Sequence, residues 1–177
     1  MRASLTLSCV ALAALAAGAA AGTLVQVDVH GVVDFNVIQG NQAGIPSGSP
    51  VHMGFQVDSS NFVNSASFPT RGYEVILTSF TMPVGGQPLI IGDPQPLGPA
   101  YFVLRNNDPA VDGFLLSRNV DFPQPVGVHI PGLTQPHDLD FLATYNSGTV
   151  LSSLDIVDAV GSYDLTGISV YGWTIGR

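Results

Sequence analysis

Apolar residues recur at every second position through most of this chain. Val25, Val27 and Val29 alternate with Gln26, Asp28 and His30, and Val51, Met53, Phe55 and Val57 alternate with His52, Gly54, Gln56 and Asp58. Near the end, Ile168, Val170, Gly172 and Thr174 alternate with Ser169, Tyr171, Trp173 and Ile175. A period of two lets one face of a strand pack on a core while the other meets water. Further strands are predicted over Val32–Ile38, Tyr73–Met82, Pro88–Ile91, Tyr101–Arg105, Gly113–Arg118, Gly127–Ile130 and Leu139–Tyr145. Breakers separate them: the Gly40–Pro50 loop, the Gly85-Gly86 pair, the proline-rich Gly92–Pro99 run and Asn106–Gly113. Only Ser152–Gly161 has a helical option, with Ser152 or Ser153 as cap and Leu154, Ile156, Val157 and Val160 on one face. The pattern predicts an all-β, single-domain antiparallel β-sandwich, jelly-roll or immunoglobulin-like, with at most one short helix.

The opening 21 residues depart from this rhythm. Arg2 is followed by a short apolar stretch, Leu5 to Leu15, and then by small residues ending in Ala19-Ala20-Ala21. A charged start, an apolar core and a small-residue exit predict a secretory signal peptide over residues 1–21, leaving residues 22–177 as the β domain, secreted or on the cell surface. The single cysteine, Cys9, belongs to that leader. The remaining chain therefore has no disulfide and no thiolate, and must rest on its apolar core and backbone ladders.

Charge narrows the partners. Five arginines and no lysine stand against twelve aspartates and one glutamate, a formal net charge of −8. An acidic surface repels phosphate backbones and anionic headgroups, which excludes nucleic acid as the expected partner and leaves cations and neutral glycans.

The order of segments resembles a known group. The run Ser49-Pro50-Val51-His52-Met53-Gly54-Phe55-Gln56-Val57-Asp58-Ser59-Ser60 is followed by Val103-Leu104-Arg105-Asn106-Asn107-Asp108 with Asp112-Gly113-Phe114. Leu139-Asp140-Phe141 comes next, then Ser147-Gly148-Thr149-Val150-Leu151-Ser152-Ser153-Leu154. These segments resemble the secreted bacterial proteins of the PEP-CTERM type, whose β domains carry "G-x-F-x-x-D-S-S", "N-D…D-G" and "G-T-x-L-S-S" in this order. The resemblance implies a surface or matrix protein of exopolysaccharide-producing bacteria, with a glycan as partner and no assigned catalytic residues. It departs at the end: the Pro-Glu-Pro segment, apolar helix and basic tail of that group are not found at Trp173–Arg177.

Three constellations carry candidate chemistry. Asn106, Asp108 and Asp112 offer oxygens to a hard cation, and calcium takes about six to eight of them; Asn, Asp and Gly are also what a tight turn requires. Asp138 and Asp140, two apart on a strand, lie about 6.6 Å apart by rise. That falls within the span of about 5–10 Å used by paired glycosidase carboxylates, though a solvated acidic face gives the same pattern. Tyr171 and Trp173 share a side of the last strand and would stack on sugar rings if exposed, or pack in the core if not. The four histidines fall in separate segments, and the chain lacks Gly-x-Ser-x-Gly and any Gly-x-x-x-x-Gly-Lys loop. The expectation is an exported, non-enzymatic surface domain, with a carbohydrate-binding module or a glycan-acting hydrolase as the alternatives.

Overall fold

The computed structural model describes residues 4–9, 22–37, 44–84, 87–91 and 99–176. It contains eleven strands: β1 (Ser4–Cys9), β2 (Leu24–Val32), β3 (Pro50–Asn64), β4 (Thr70–Val84), β5 (Gln87–Ile91), β6 (Tyr101–Arg105), β7 (Asp112–Ser117), β8 (Val126–His129), β9 (His137–Tyr145), β10 (Gly161–Tyr163) and β11 (Ile168–Gly176). All pairings are antiparallel and belong to one sheet. The expected antiparallel all-β domain is therefore present, its layers being parts of one continuous ladder.

Two strands organise that ladder. One edge of β4 is shared, residues Thr70–Glu74 pairing with β6 and Met82–Val84 with β5. The facing edge of β9 is divided in the same way, between β7 and β8. Two short bridges, β6–β7 and β5–β8, thus join β4 to β9. Beyond β4 the sheet runs through β3, β2 and β1 to β10, and beyond β9 it ends in β11. Inward side chains from β2, β3, β4, β6, β7, β8, β9 and β11 fall in a single core cluster, so the sheet curls upon itself. Val25, Val27 and Val29 are buried as the alternation requires and belong to the same core as the contacting rings of Phe55, Phe102 and Phe114. Fully burying a side chain of this kind contributes about 1.5–3 kcal/mol.

Several expectations change. The strand predicted over Val32–Ile38 stops at Val32; Val33 still bonds through its backbone to Gly48 and Ser49, and Asp34–Val37 runs on outside any strand, with Phe35 and Val37 74% and 82% exposed. Ile38, Gly40–Ala43, the Gly85-Gly86 pair and residues 92–98 lie outside the described residues. The helical option at Ser152–Gly161 is not taken up. Ser153 Oγ accepts the amide of Asp155 at 2.9 Å, Asp155 Oδ1 accepts that of Val157 at 3.2 Å, and behind them the backbone closes only four-residue turns, Asp155–Asp158 and Ile156–Ala159. Side-chain oxygens that capture nearby amides compete with the helical ladder. Leu151, Ile156 and Ala159 are nevertheless buried, and the segment packs onto the sheet as a plug. Of the predicted leader the structure describes only Ser4–Cys9, which lies as β1 between β2 and β10.

Candidate functional site: a cavity along the last strand

A cavity of about 340 Å³ lies between β11 and the Val32–Val37 segment. Val51, Met82, Val84 and Ile130 supply aliphatic walls, and Phe35 and Val37 stand at its margin. Five consecutive β11 residues, Tyr171 to Ile175, line it. Since successive side chains of a strand point to opposite faces, a lining of five in a row means that the cavity follows the strand's edge.

The phase of β11 is set by an irregularity. Its register with β9 shifts between Ile168 and Val170, after which Tyr171, Trp173 and Ile175 sit opposite the buried Ala143, Phe141 and Leu139. The aromatic residues therefore face inward, while Val170, Gly172, Thr174 and Gly176 face out. The uninterrupted alternation read from the sequence put Ile168 and Val170 together on one face; the bulge overturns that parity. Trp173 is only 8% exposed and meets Phe141 edge-on, with ring centroids 6.3 Å apart. Tyr171 is half-buried against the same ring, and burial pushes its hydroxyl up to about 12. The predicted pair shares a face, but that face is the inner one, so it is not an open platform for stacking sugars.

Three buried side-chain polar atoms lack a hydrogen-bond partner among the described residues, and two are Tyr171 Oη and Trp173 Nε1. Native interiors pair nearly all such groups, and an unpaired one costs about 1–3 kcal/mol.

The Asn106–Gly113 loop uses its oxygens internally. Asp112, at 0% exposure, accepts the amide of Asn107 on Oδ1 at 2.8 Å and those of Val150 and Leu151 on Oδ2, both at 2.7 Å. Arg105 holds Asp108 Oδ2 through Nε and Nη2, each at 3.1 Å, and Asn106 Oδ1 accepts from the side-chain Nδ2 of Asn107 at 2.9 Å. Asn107, in the left-handed region at φ 56°, turns the chain. The candidate cation ligands are thus committed to protein donors, and no group of three or more metal-ligating residues occurs among the described ones.

Asp138 and Asp140 lie on the outer face of β9, opposite Gly176 and Thr174, and do not line this cavity. Partial burial, followed by the charge of Asp138, raises the Asp140 carboxyl above its ordinary range. Sequence spacing also missed one association. The β2–β3 register places His30 opposite His52, their rings stacked at 4.4 Å, and His52 Nε2 meets Asp28 Oδ1 at 2.8 Å. Gly54 leaves room for this, since a Cβ there would lie 3.1 Å from Asp28 Oδ1. Only the strand register, which alternation alone does not supply, would have revealed the pair. His137 is buried and His129 lies in β8, remote in pairing from both.

No protein-family model, curated protein or solved structure matches the chain. Among the described residues, no helix is long and apolar enough to cross a membrane.

Proposed function

We propose that this is an exported, non-enzymatic binding domain of the cell surface or extracellular matrix, whose recognition element is the cavity along β11. The observation that carries this reading is the cavity's lining: aliphatic and aromatic side chains, with Asp34 and Tyr171 as its titratable groups and no acid–base pair. An apolar pocket with a few polar groups suits recognition. Hydrolysis by paired carboxylates would need Asp138 and Asp140 in a cleft, and they lie outside the cavity. The exported character rests on the residue 1–21 pattern and on the resemblance to PEP-CTERM-type proteins. Trp173 is the chain's single tryptophan, so its emission reports on the cavity directly.

The test is a titration of the purified domain with neutral exopolysaccharide fragments, apolar small molecules and short peptides, following Trp173 emission and recovering each compound afterwards. At least one compound should shift the emission and be recovered intact. Cleavage of any compound, or an unchanged spectrum across all three classes, overturns the reading.

A further inference from the structure

Among the described residues, β11 ends the sheet and pairs only with β9. Half of its backbone N–H and C=O groups therefore point away from the ladder, and no backbone partner for them occurs among the described residues. Exposed edges are ordinarily blunted by charge, proline or a bulge along the edge. From Tyr171 to Gly176 this strand has none of these, only Tyr-Gly-Trp-Thr-Ile-Gly. The cavity runs beside that same edge, and the two unpartnered polar groups belong to its inner face. Three features, an edge without a strand partner among the described residues, an apolar cavity and buried polar atoms without a protein partner there, coincide on one strand.

We propose that the free edge of β11 receives an extended peptide segment of a partner protein, in which apolar residues alternate with basic ones. The backbone of such a segment completes the ladder, and its alternate side chains enter the cavity. Its other side chains share the outer face with Gly172, Thr174 and Gly176. The space where a side chain would stand on Gly172 or Gly176 is open, so a lysine or arginine can lean across β11 towards Asp138 and Asp140 on β9. The added strand lies about 10 Å from β9, two strand spacings away. An acidic chain with Asp34 also lining the cavity favours the same charge. The inference rests on the binding reading above and specifies its partner.

The probe is a capped peptide of about seven residues alternating valine and lysine, enough to span the edge. Its control has the same composition with valines and lysines in separate blocks. The alternating peptide should shift Trp173 emission and slow hydrogen exchange of the β11 amides, and the block peptide should do neither. Asp138→Asn with Asp140→Asn, both at positions outside the core, should weaken binding about three- to tenfold at low salt and flatten its salt dependence. Equal binding by the block peptide, or binding without protection of β11, overturns the proposal. If neither peptide binds while a glycan or apolar compound shifts Trp173 emission, the peptide proposal fails and the binding reading stands.

Discussion

The carboxylate of Asp112 accepts the backbone N–H of Leu151, 39 residues later, at 2.7 Å. Through Val150 and Asn107 the same side chain fastens three amides, so it joins the β6–β7 loop to the segment that follows β9. Two stretches on which the resemblance rests, Asn107-Asp108…Asp112-Gly113 and Gly148-Thr149-Val150-Leu151-Ser152-Ser153, are thus bonded to each other.

Replacing Asp112 by alanine leaves three amides without their acceptor. The expected loss is about 3 kcal/mol, or a fall in melting midpoint of about 6–12 °C for a domain of this size. Asp112→Asn should recover only part of it, since the amide presents one acceptor where the carboxylate presents two. Because these oxygens already serve protein donors, millimolar calcium should leave the midpoint unchanged; a clear rise would restore the loop as a cation site.

Tyr73 pins the plug. Its hydroxyl donates to Leu154 C=O at 2.8 Å and accepts the Ile156 amide at 3.0 Å. Tyr73→Phe keeps the packing but strands both backbone groups, at about 1–3 kcal/mol. Hydrogen exchange should accelerate at Ile156 well before it does in β2 or β3. Uniform acceleration would mean that the plug and sheet open as one unit.

Gly113 pairs with Thr144 where β7 meets β9. A methyl group built on it would collide with the backbone carbonyl of Ala143, and its next neighbour, Thr144 Cα, is 3.2 Å away. Neither is a flexible side-chain end, so Gly113→Ala should destabilise by about 1–3 kcal/mol, as overpacking does. A melt with an unchanged midpoint would contradict the close approach of these two strands.

All five tyrosines hold their protons more tightly folded than free, burial being the first cause in each. For Tyr145, pushed up to about 12, Asp164 adds to it. An unfolded phenol titrates near pH 10, so unfolding releases protons above that value and stability falls as pH rises towards 12. The stabilising difference is fully present below pH 10. Phenolate absorbance should therefore rise in step with loss of near-ultraviolet circular dichroism. Smooth phenolate formation near pH 10 in a chain that is still folded would refute the burial of these rings.

A chain starting at Gly22 should fold and melt cooperatively, because the described core begins at Val25. Mass measurement of the protein recovered outside expressing bacteria should show residues 1–21 removed. An unfolded spectrum for the shortened chain would make β1 an essential strand.

Alternation was enough to read the buried valines of β2 and the Met53–Phe55–Val57 set of β3, because each buried residue there leaves a period-two trace. It failed where local chemistry intervened. The bulge after Ile168 separates Ile168 from Val170, which unbroken alternation puts on one face, and only the pairing with β9 decides between the two readings of Tyr171 and Trp173. The oxygens of Ser153 and Asp155 replaced helix with turns. The Asn106–Gly113 loop was legible as a turn, yet its clamp on Leu151 was not, since that contact depends on β7 and β9 being neighbours. The cavity itself arises from the sheet's curl, which no short window of sequence records.

The Tyr73–Ile156 bond spans 83 positions along the chain. Closing so long a loop carries an entropic cost that must be met before the contact repays it, and folds built on distant pairings take milliseconds to seconds to assemble. During that interval the plug's apolar side chains, Leu151, Ile156 and Ala159, have no cover, and the chain is then most open to cleavage or self-association.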